Sequence, residues 1–155
     1  MKKVVAVIPA KAESSRLPGK NLLSFAGKPL VAHTIEQALA SSEIDKVYVS
    51  TDSEQIASIA RSLGAEVPFM RPAYLSKPDV HSIMPILDLL EATGAINDFN
   101  YVMVLLPTCP LREVKQINEI SKLAKESEGN VLSLVDTGMT RYHLRTIDNE
   151  GYAIN

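Results

Sequence analysis

The residues best equipped for chemistry lie at 9–21, where the chain reads Pro-Ala-Lys-Ala-Glu-Ser-Ser-Arg-Leu-Pro-Gly-Lys-Asn. Residues 11–20 carry three cations, Lys11, Arg16 and Lys20, against one anion, Glu13. This is a local excess of positive charge in a chain whose 16 Lys+Arg and 18 Asp+Glu leave it at −2. Small residues between the cations let backbone N–H groups come close to a ligand, and the cations neutralise it, so the segment can cradle a polyphosphate. A solvated loop whose charges serve solubility is the other reading of the same composition. Two familiar cradles are excluded by counting. A P-loop needs a glycine where Ser14 stands and a Ser or Thr where Asn21 stands, and no two of the seven glycines are two apart, as a dinucleotide fingerprint requires.

Other reactive types point to less. Cys109 is the single cysteine, which excludes an internal disulfide or a Cys-rich zinc site. No histidine stands near it in sequence, so it does not read as a nucleophile. His33, His81 and His143 have no ligand-like spacing. Without a basic block and without Trp, no nucleic-acid surface is expected.

These residues need elements to hold them. The β-branched run at 4–8, closed by Pro9, reads as a strand buried on both faces, and 46–50, 101–106 and 131–135 have similar character. Between them, apolar residues recur at helical spacing. One helix begins after Pro29 and places Leu30, Val31, Ile35, Ala38 and Leu39 inward. A second follows Asp52 or Ser53 as N-cap and stops at Gly64. Two more are expected at about 82–91, with Ser82 as cap or ligand contact, and at about 113–126. Asp148-Asn149-Glu150-Gly151 reads as a hairpin turn. Strands alternating with helices describe a doubly wound α/β fold around a mostly parallel sheet, in a single domain over 1–155. Ligands in such folds bind beyond the carboxyl ends of the strands, here in the loops at 9–28, 50–53, 68–82 and 107–112. No apolar run approaches the roughly 18–20 residues a bilayer requires. The run at 4–8 is also too short for a signal-peptide core, so a cytoplasmic protein is expected.

Residues 8–21, Ile-Pro-Ala-Lys-Ala-Glu-Ser-Ser-Arg-Leu-Pro-Gly-Lys-Asn, resemble the N-terminal signature of the CMP-sialic acid synthetase (acylneuraminate cytidylyltransferase) family. Four further stretches agree with that family in order and spacing: Val49-Ser-Thr-Asp-Ser53, Gly64-Ala65, Arg71-Pro72 with Leu75-Ser76, and Leu105-Leu-Pro-Thr-Cys-Pro-Leu-Arg112. The Arg-Leu-Pro-Gly-Lys portion is also similar to the cytidylyltransferases acting on Kdo, another acidic sugar. The resemblance implies a Rossmann-like nucleotidyltransferase fold, C-terminally short. It also implies transfer of CMP from CTP to the anomeric hydroxyl of an acidic 2-keto sugar, with pyrophosphate released and Mg²⁺ assisting.

By the same resemblance, Lys11, Lys20 and Asn21 stand at catalytic positions. Ser14, Ser15 and Arg16 would hold the triphosphate, while Arg71, Ser82 and the backbone of Pro9 and Ala10 would meet the cytosine. Thr108 and Arg112 would meet the sugar acid, Arg112 as a bidentate carboxylate partner. Three departures stand out. Glu13 occupies a place usually held by Gly and should turn outward, away from phosphate. Leu106 replaces the Gln that usually precedes this proline motif. The late aspartates that bind Mg²⁺ in the family have no counterpart, so no metal ligand is assigned. The tail at 136–155 corresponds to the start of an arm that forms a homodimer in the family. A non-catalytic nucleotide-binding remnant and a nucleotidyltransferase for a different sugar are the alternatives.

Overall fold

The computed structural model describes residues 2–14, 17–127 and 129–132, together with strand residues 146–147 and 153–154. Strand β1, Val4–Pro9, lies at the centre of a three-stranded sheet of order β4-β1-β5, with β4 at Lys46–Ser50 and β5 at Tyr101–Val104. Both pairings are parallel, Ile8 opposite Val49 on one side and Val7 opposite Val104 on the other. The expected doubly wound α/β architecture is therefore present. Tyr48 and Glu66 form a further parallel bridge beside β4.

The run at 4–8 is uniformly apolar because both faces of β1 are covered. Ala6 and Ile8 join Val47 and Val49 against α1 (Leu30–Leu39), α2 (Glu54–Leu63) and α5 (Val114–Ser127), through Val31, Ile35, Ile56 and Ile117. Val5, Val7 and Tyr48 face the opposite way, against α3 (Met84–Ala92) and α4 (Ala95–Asp98), through Ile86, Leu89 and Ala95. Burying each such branched side chain stabilises the fold by about 1.5–3 kcal/mol before entropy is counted.

Differences from the sequence expectation have local causes. Strand β5 ends at Val104 rather than at 106, and its exposure alternates, because among the described residues it is an edge strand with Val102 and Val104 on an uncovered face. Ser53, not Asp52, caps α2: its Oγ accepts from the Ile56 N–H at 3.3 Å, while Gly64 closes the other end as expected. Helix α3 starts at Met84 with Ile83 ahead of it and no side-chain cap, so Ser82 is not a capping residue.

A hairpin the sequence does not announce precedes α1. Its strands β2, Ser24–Phe25, and β3, Lys28–Pro29, are joined by Ala26 and Gly27, with φ of 48° and 85°. Two consecutive positive φ angles define a type I′ turn, whose usual signal is Asn-Gly rather than Ala-Gly. The strands β6, Thr146–Ile147, and β7, Ala153–Ile154, pair antiparallel on either side of the turn expected at 148–151. The turn itself, and most of the strand expected at 131–135, lie outside the described residues.

Candidate active site

Strand β1 lies between β4 and β5, so the chain passes from one side of it to the other, and loops diverge where the strand order reverses. At that switch point an open cleft of about 230 Å³ is lined by Pro9, Lys11, Lys20 and Asn21 from the first loop. Arg71, Leu75, Lys77, Val80, Ser82 and Pro85 line it from the segment before and into α3, and Leu106, Pro107 and Thr108 from the loop after β5. Among the described residues the lining carries four cationic side chains and no carboxylate.

The first loop is braced against its neighbours. Ala10 is fully buried and its N–H donates to the Ser50 carbonyl at 2.9 Å. Asn21 Nδ2 donates to the Lys11 carbonyl at 2.9 Å, and the Ala12 N–H donates to Asp52 Oδ1 at 2.7 Å. The Lys11 side chain reaches across to the Ser76 carbonyl, at 3.5 Å the limit of a hydrogen bond. Gly19, at φ 63°, turns the chain into the 3₁₀ turn Lys20–Leu22 that presents Lys20 and Asn21. A left-handed residue there suits glycine, which lacks the Cβ clash of other residues. Glu13 is exposed, the outward orientation expected of it.

Arg71 forms the opposite wall. It is only 7% exposed, with Nε donating to Ser50 Oγ at 3.1 Å, Nη2 to the Ser50 carbonyl at 2.6 Å, and its own N–H to the Thr51 carbonyl at 2.7 Å. Burial lowers the pKa of its guanidinium from the ordinary arginine value, and the charge of Asp52 partly offsets this. An arginine starts so high that it remains charged at neutral pH. For Asp52, burial is the largest single influence and pushes its pKa upward. The Ala12 N–H, the nearby Ser76 hydroxyl, its own backbone N–H and Arg71 together outweigh that, so the net shift is below the usual aspartate range. Ser76 Oγ approaches without reaching full hydrogen-bond geometry.

The third wall is shaped by Arg112. Its Nη2 donates to the Leu106 carbonyl at 3.3 Å and its Nη1 to Gln37 Oε1 at 3.5 Å, closing the loop from 106 to 112 upon itself.

Of the residues singled out in the sequence, Pro9, Lys11, Lys20, Asn21, Arg71, Ser82 and Thr108 are brought together on one cleft. Ala10 and Ser14 are buried behind the lining, and Arg112 is occupied by its loop. Ser15 and Arg16 lie outside the described residues. Leu106, noted in the sequence as a departure from the family, is also in the lining, and Leu75, Lys77, Val80, Pro85 and Pro107 complete it without having been assigned a role. Leu75 and Pro107 fall within the family-like stretches, while for Lys77, Val80 and Pro85 the place after β4 is the signal. The donor set does not fit a resident Mg²⁺, which takes oxygen ligands led by carboxylates. Among the described residues no group of three His, Cys, Asp or Glu is placed to hold a metal ion.

Residues 5–137 match the family described as Cytidylyltransferase. The chain belongs to that family. It is 40% identical over 150 residues to the CMP-N,N'-diacetyllegionaminic acid synthase of Legionella pneumophila, covering 96% of this chain and 65% of the relative. It is also 40% identical over 126 residues to an N-acylneuraminate cytidylyltransferase of Escherichia coli, covering 81% of this chain and 29% of that one. Among solved structures, a CMP:2-keto-3-deoxy-manno-octonic acid synthetase complexed with CTP superposes with a TM-score of 0.68 at 25% identity. That match covers 82% of this chain and 49% of the other. The chain thus spans less than two thirds of the length of each of these cytidylyltransferase relatives. The fold is that of the Rossmann-like nucleotidyltransferases. Among the described residues no helix is long and apolar enough to cross a membrane.

Proposed function

We propose that this chain binds CTP in the cleft and carries out cytidylyl transfer to an acidic 2-keto sugar. The observation that carries the reading is the convergence of Lys11, Lys20, Arg71 and Lys77 on one cleft, in a chain of this family. In the reaction, the anomeric hydroxyl oxygen bonds to the α-phosphorus, the α–β phosphoanhydride bond breaks, pyrophosphate leaves with that bonding pair, and the hydroxyl proton passes to solvent water. Negative charge accumulates on the phosphate oxygens and the leaving group, where positioned cations lower the barrier most.

Lys11 and Lys20 face the phosphates in this reading, with Asn21 beside the transferring group and Ser14, Ser15 and Arg16 supporting the loop. Arg71 and Ser82, with the backbone of Pro9, meet the base, while Ala10, buried and bonded to Ser50, backs that wall. A buried polar wall discriminates among bases because a wrong edge leaves its donors unpaired. Thr108 contacts the sugar, and Arg112 holds the loop that presents it. Leu106 is 47% exposed and offers the sugar an apolar surface, which suits acyl or deoxy substituents better than hydroxyls. Mg²⁺ would be held by the nucleotide's own phosphates, as their counter-ion, since the described lining offers it no carboxylate. We place the protein in the cytoplasm, with its nucleotide donor, and assign residues 136–155 to a homodimer contact.

A second reading, nucleotide binding without turnover, rests on the fact that the described lining offers no carboxylate to hold a metal ion beside the phosphates. Pyrophosphate release from CTP, Mg²⁺ and a panel of keto sugar acids separates the two. Release supports transfer, CTP binding without release supports the second reading, and equal affinity for CTP, UTP, GTP and ATP removes the cytosine assignment.

A further inference from the structure

The peptide group between Lys11 and Ala12 is gripped at both ends. Its carbonyl accepts from Asn21 Nδ2 at 2.9 Å, and its N–H donates to Asp52 Oδ1 at 2.7 Å. A peptide unit is planar, so fixing both its acceptor and its donor direction leaves it a single orientation. The two grips come from separate parts of the chain, Asn21 from the 3₁₀ turn and Asp52 from just beyond β4. Ser53 caps α2 in place of Asp52, and Asn21, only 3% exposed, has no partner for its Oδ1 among the described residues. Asp52 is absent from the cleft lining, and a carboxylate so near a polyanion site is unfavourable unless its charge is balanced. The Arg71 charge acts in that direction, behind the hydrogen bond from the Ala12 N–H.

We propose that Asp52 and Asn21 together clamp the Lys11–Ala12 peptide, making Asp52 a positioning residue that aims Lys11 and the neighbouring amides at the triphosphate. The inference rests on the reading of the cleft as a CTP site. Its physical basis is preorganisation: a loop already held in its binding conformation loses less conformational entropy when the ligand arrives.

The test compares wild type, Asp52→Ala, Asp52→Asn and Asn21→Ala by two measurements. Hydrogen exchange of the Ala12 amide in the free protein reports the clamp directly, and exchange should quicken in Asp52→Ala. Titrations with CTP and with cytidine report its use. Asp52→Ala should weaken CTP roughly tenfold, the scale of one lost charge-assisted hydrogen bond. Cytidine, which has no phosphates, should bind as before. A general loss of structure would weaken both ligands, so the contrast isolates positioning. Asp52→Asn retains an oxygen for the Ala12 N–H and should recover most of the CTP affinity; it also keeps the test decisive if the alanine variant fails to fold. Unchanged Ala12 exchange, or equal loss of CTP and cytidine, overturns the proposal. If wild type binds no CTP, the cleft reading and the triphosphate role both fall, while Ala12 exchange still decides the clamp.

Discussion

The side-chain amide of Gln37, on α1, donates through Nε2 to the Pro110 carbonyl at 2.7 Å, tying that helix to the loop that carries Leu106, Pro107 and Thr108. Its Oε1 accepts from Arg112 Nη1 on the same loop. Gln37→Ala removes both contacts and should lower stability by about 1 kcal/mol. If the loop serves the sugar, the functional loss should fall on the KM for the sugar acid and leave CTP affinity unchanged. Thermal melting and steady-state kinetics with each substrate varied in turn check this.

Arg71 is held by a geometry that lysine cannot reproduce, since a single ammonium cannot reach the Ser50 hydroxyl and carbonyl in the planar fork that Nε and Nη2 provide. Arg71→Lys should therefore weaken CTP about tenfold and destabilise the fold by about 1–2 kcal/mol, despite keeping the charge. Calorimetric titration and chemical denaturation give the two numbers. Wild-type behaviour in both would show that charge alone matters at this wall.

Lys20 gives the complementary case. It follows the left-handed Gly19 in a short 3₁₀ turn and takes no ion-pair partner among the described residues, so it contributes little to the fold. Lys20→Ala should leave stability within about 0.5 kcal/mol of wild type. CTP binding should weaken by tenfold or more, with a loss that shrinks as salt screens the phosphates. Unchanged affinity in a calorimetric titration removes the phosphate role of this lysine.

Where residue type alone decides structure, the sequence was readable. The uniform apolar run of β1 required two covered faces, the periodicity of α1 and α2 required one, and Gly64 marked the end of α2. The choice of Lys11, Lys20, Asn21, Arg71, Ser82 and Thr108 came from the family resemblance, and the loops at one end of a parallel sheet are what bring them onto one cleft. What escaped depends on contacts distant in sequence. Nothing in the residue type of Asp52 distinguishes a helix cap from an acceptor for an amide 40 positions earlier. Arg112 likewise does not reveal whether it faces a ligand or braces its own loop.

The hairpin before α1 escaped for the opposite reason, because its turn residue is an unfavourable one. Ala26 holds φ 48° although it has a Cβ, a conformation asparagine tolerates better. Ala26 is exposed, so substitution there disturbs no packing. Ala26→Asn should raise stability by about 0.5–1 kcal/mol and leave CTP binding unaltered. A melting curve showing no gain, or a loss, would mean that the left-handed residue carries little strain.

The charge of Asp52 should make part of the stability depend on pH, with a definite sign. Its pKa in the folded chain is lower than in the unfolded one, because burial, which opposes ionisation, is outweighed by the Ala12 N–H, Ser76, its own backbone N–H and Arg71. A depressed carboxylate stabilises the fold fully above its unfolded pKa, near about 4, and loses that contribution as pH falls through the folded value. Asp52→Asn cannot ionise, so it lacks the contribution at every pH. Wild type should therefore melt above Asp52→Asn at pH 7, and the gap between them should close as pH drops below about 4. Arg71 stays charged across this range, so the closing of the gap tracks Asp52 alone. A constant gap from pH 7 to pH 3 would mean that the carboxylate acts by shape and not by charge, and a gap that widens on acidification would contradict the assigned direction of the shift.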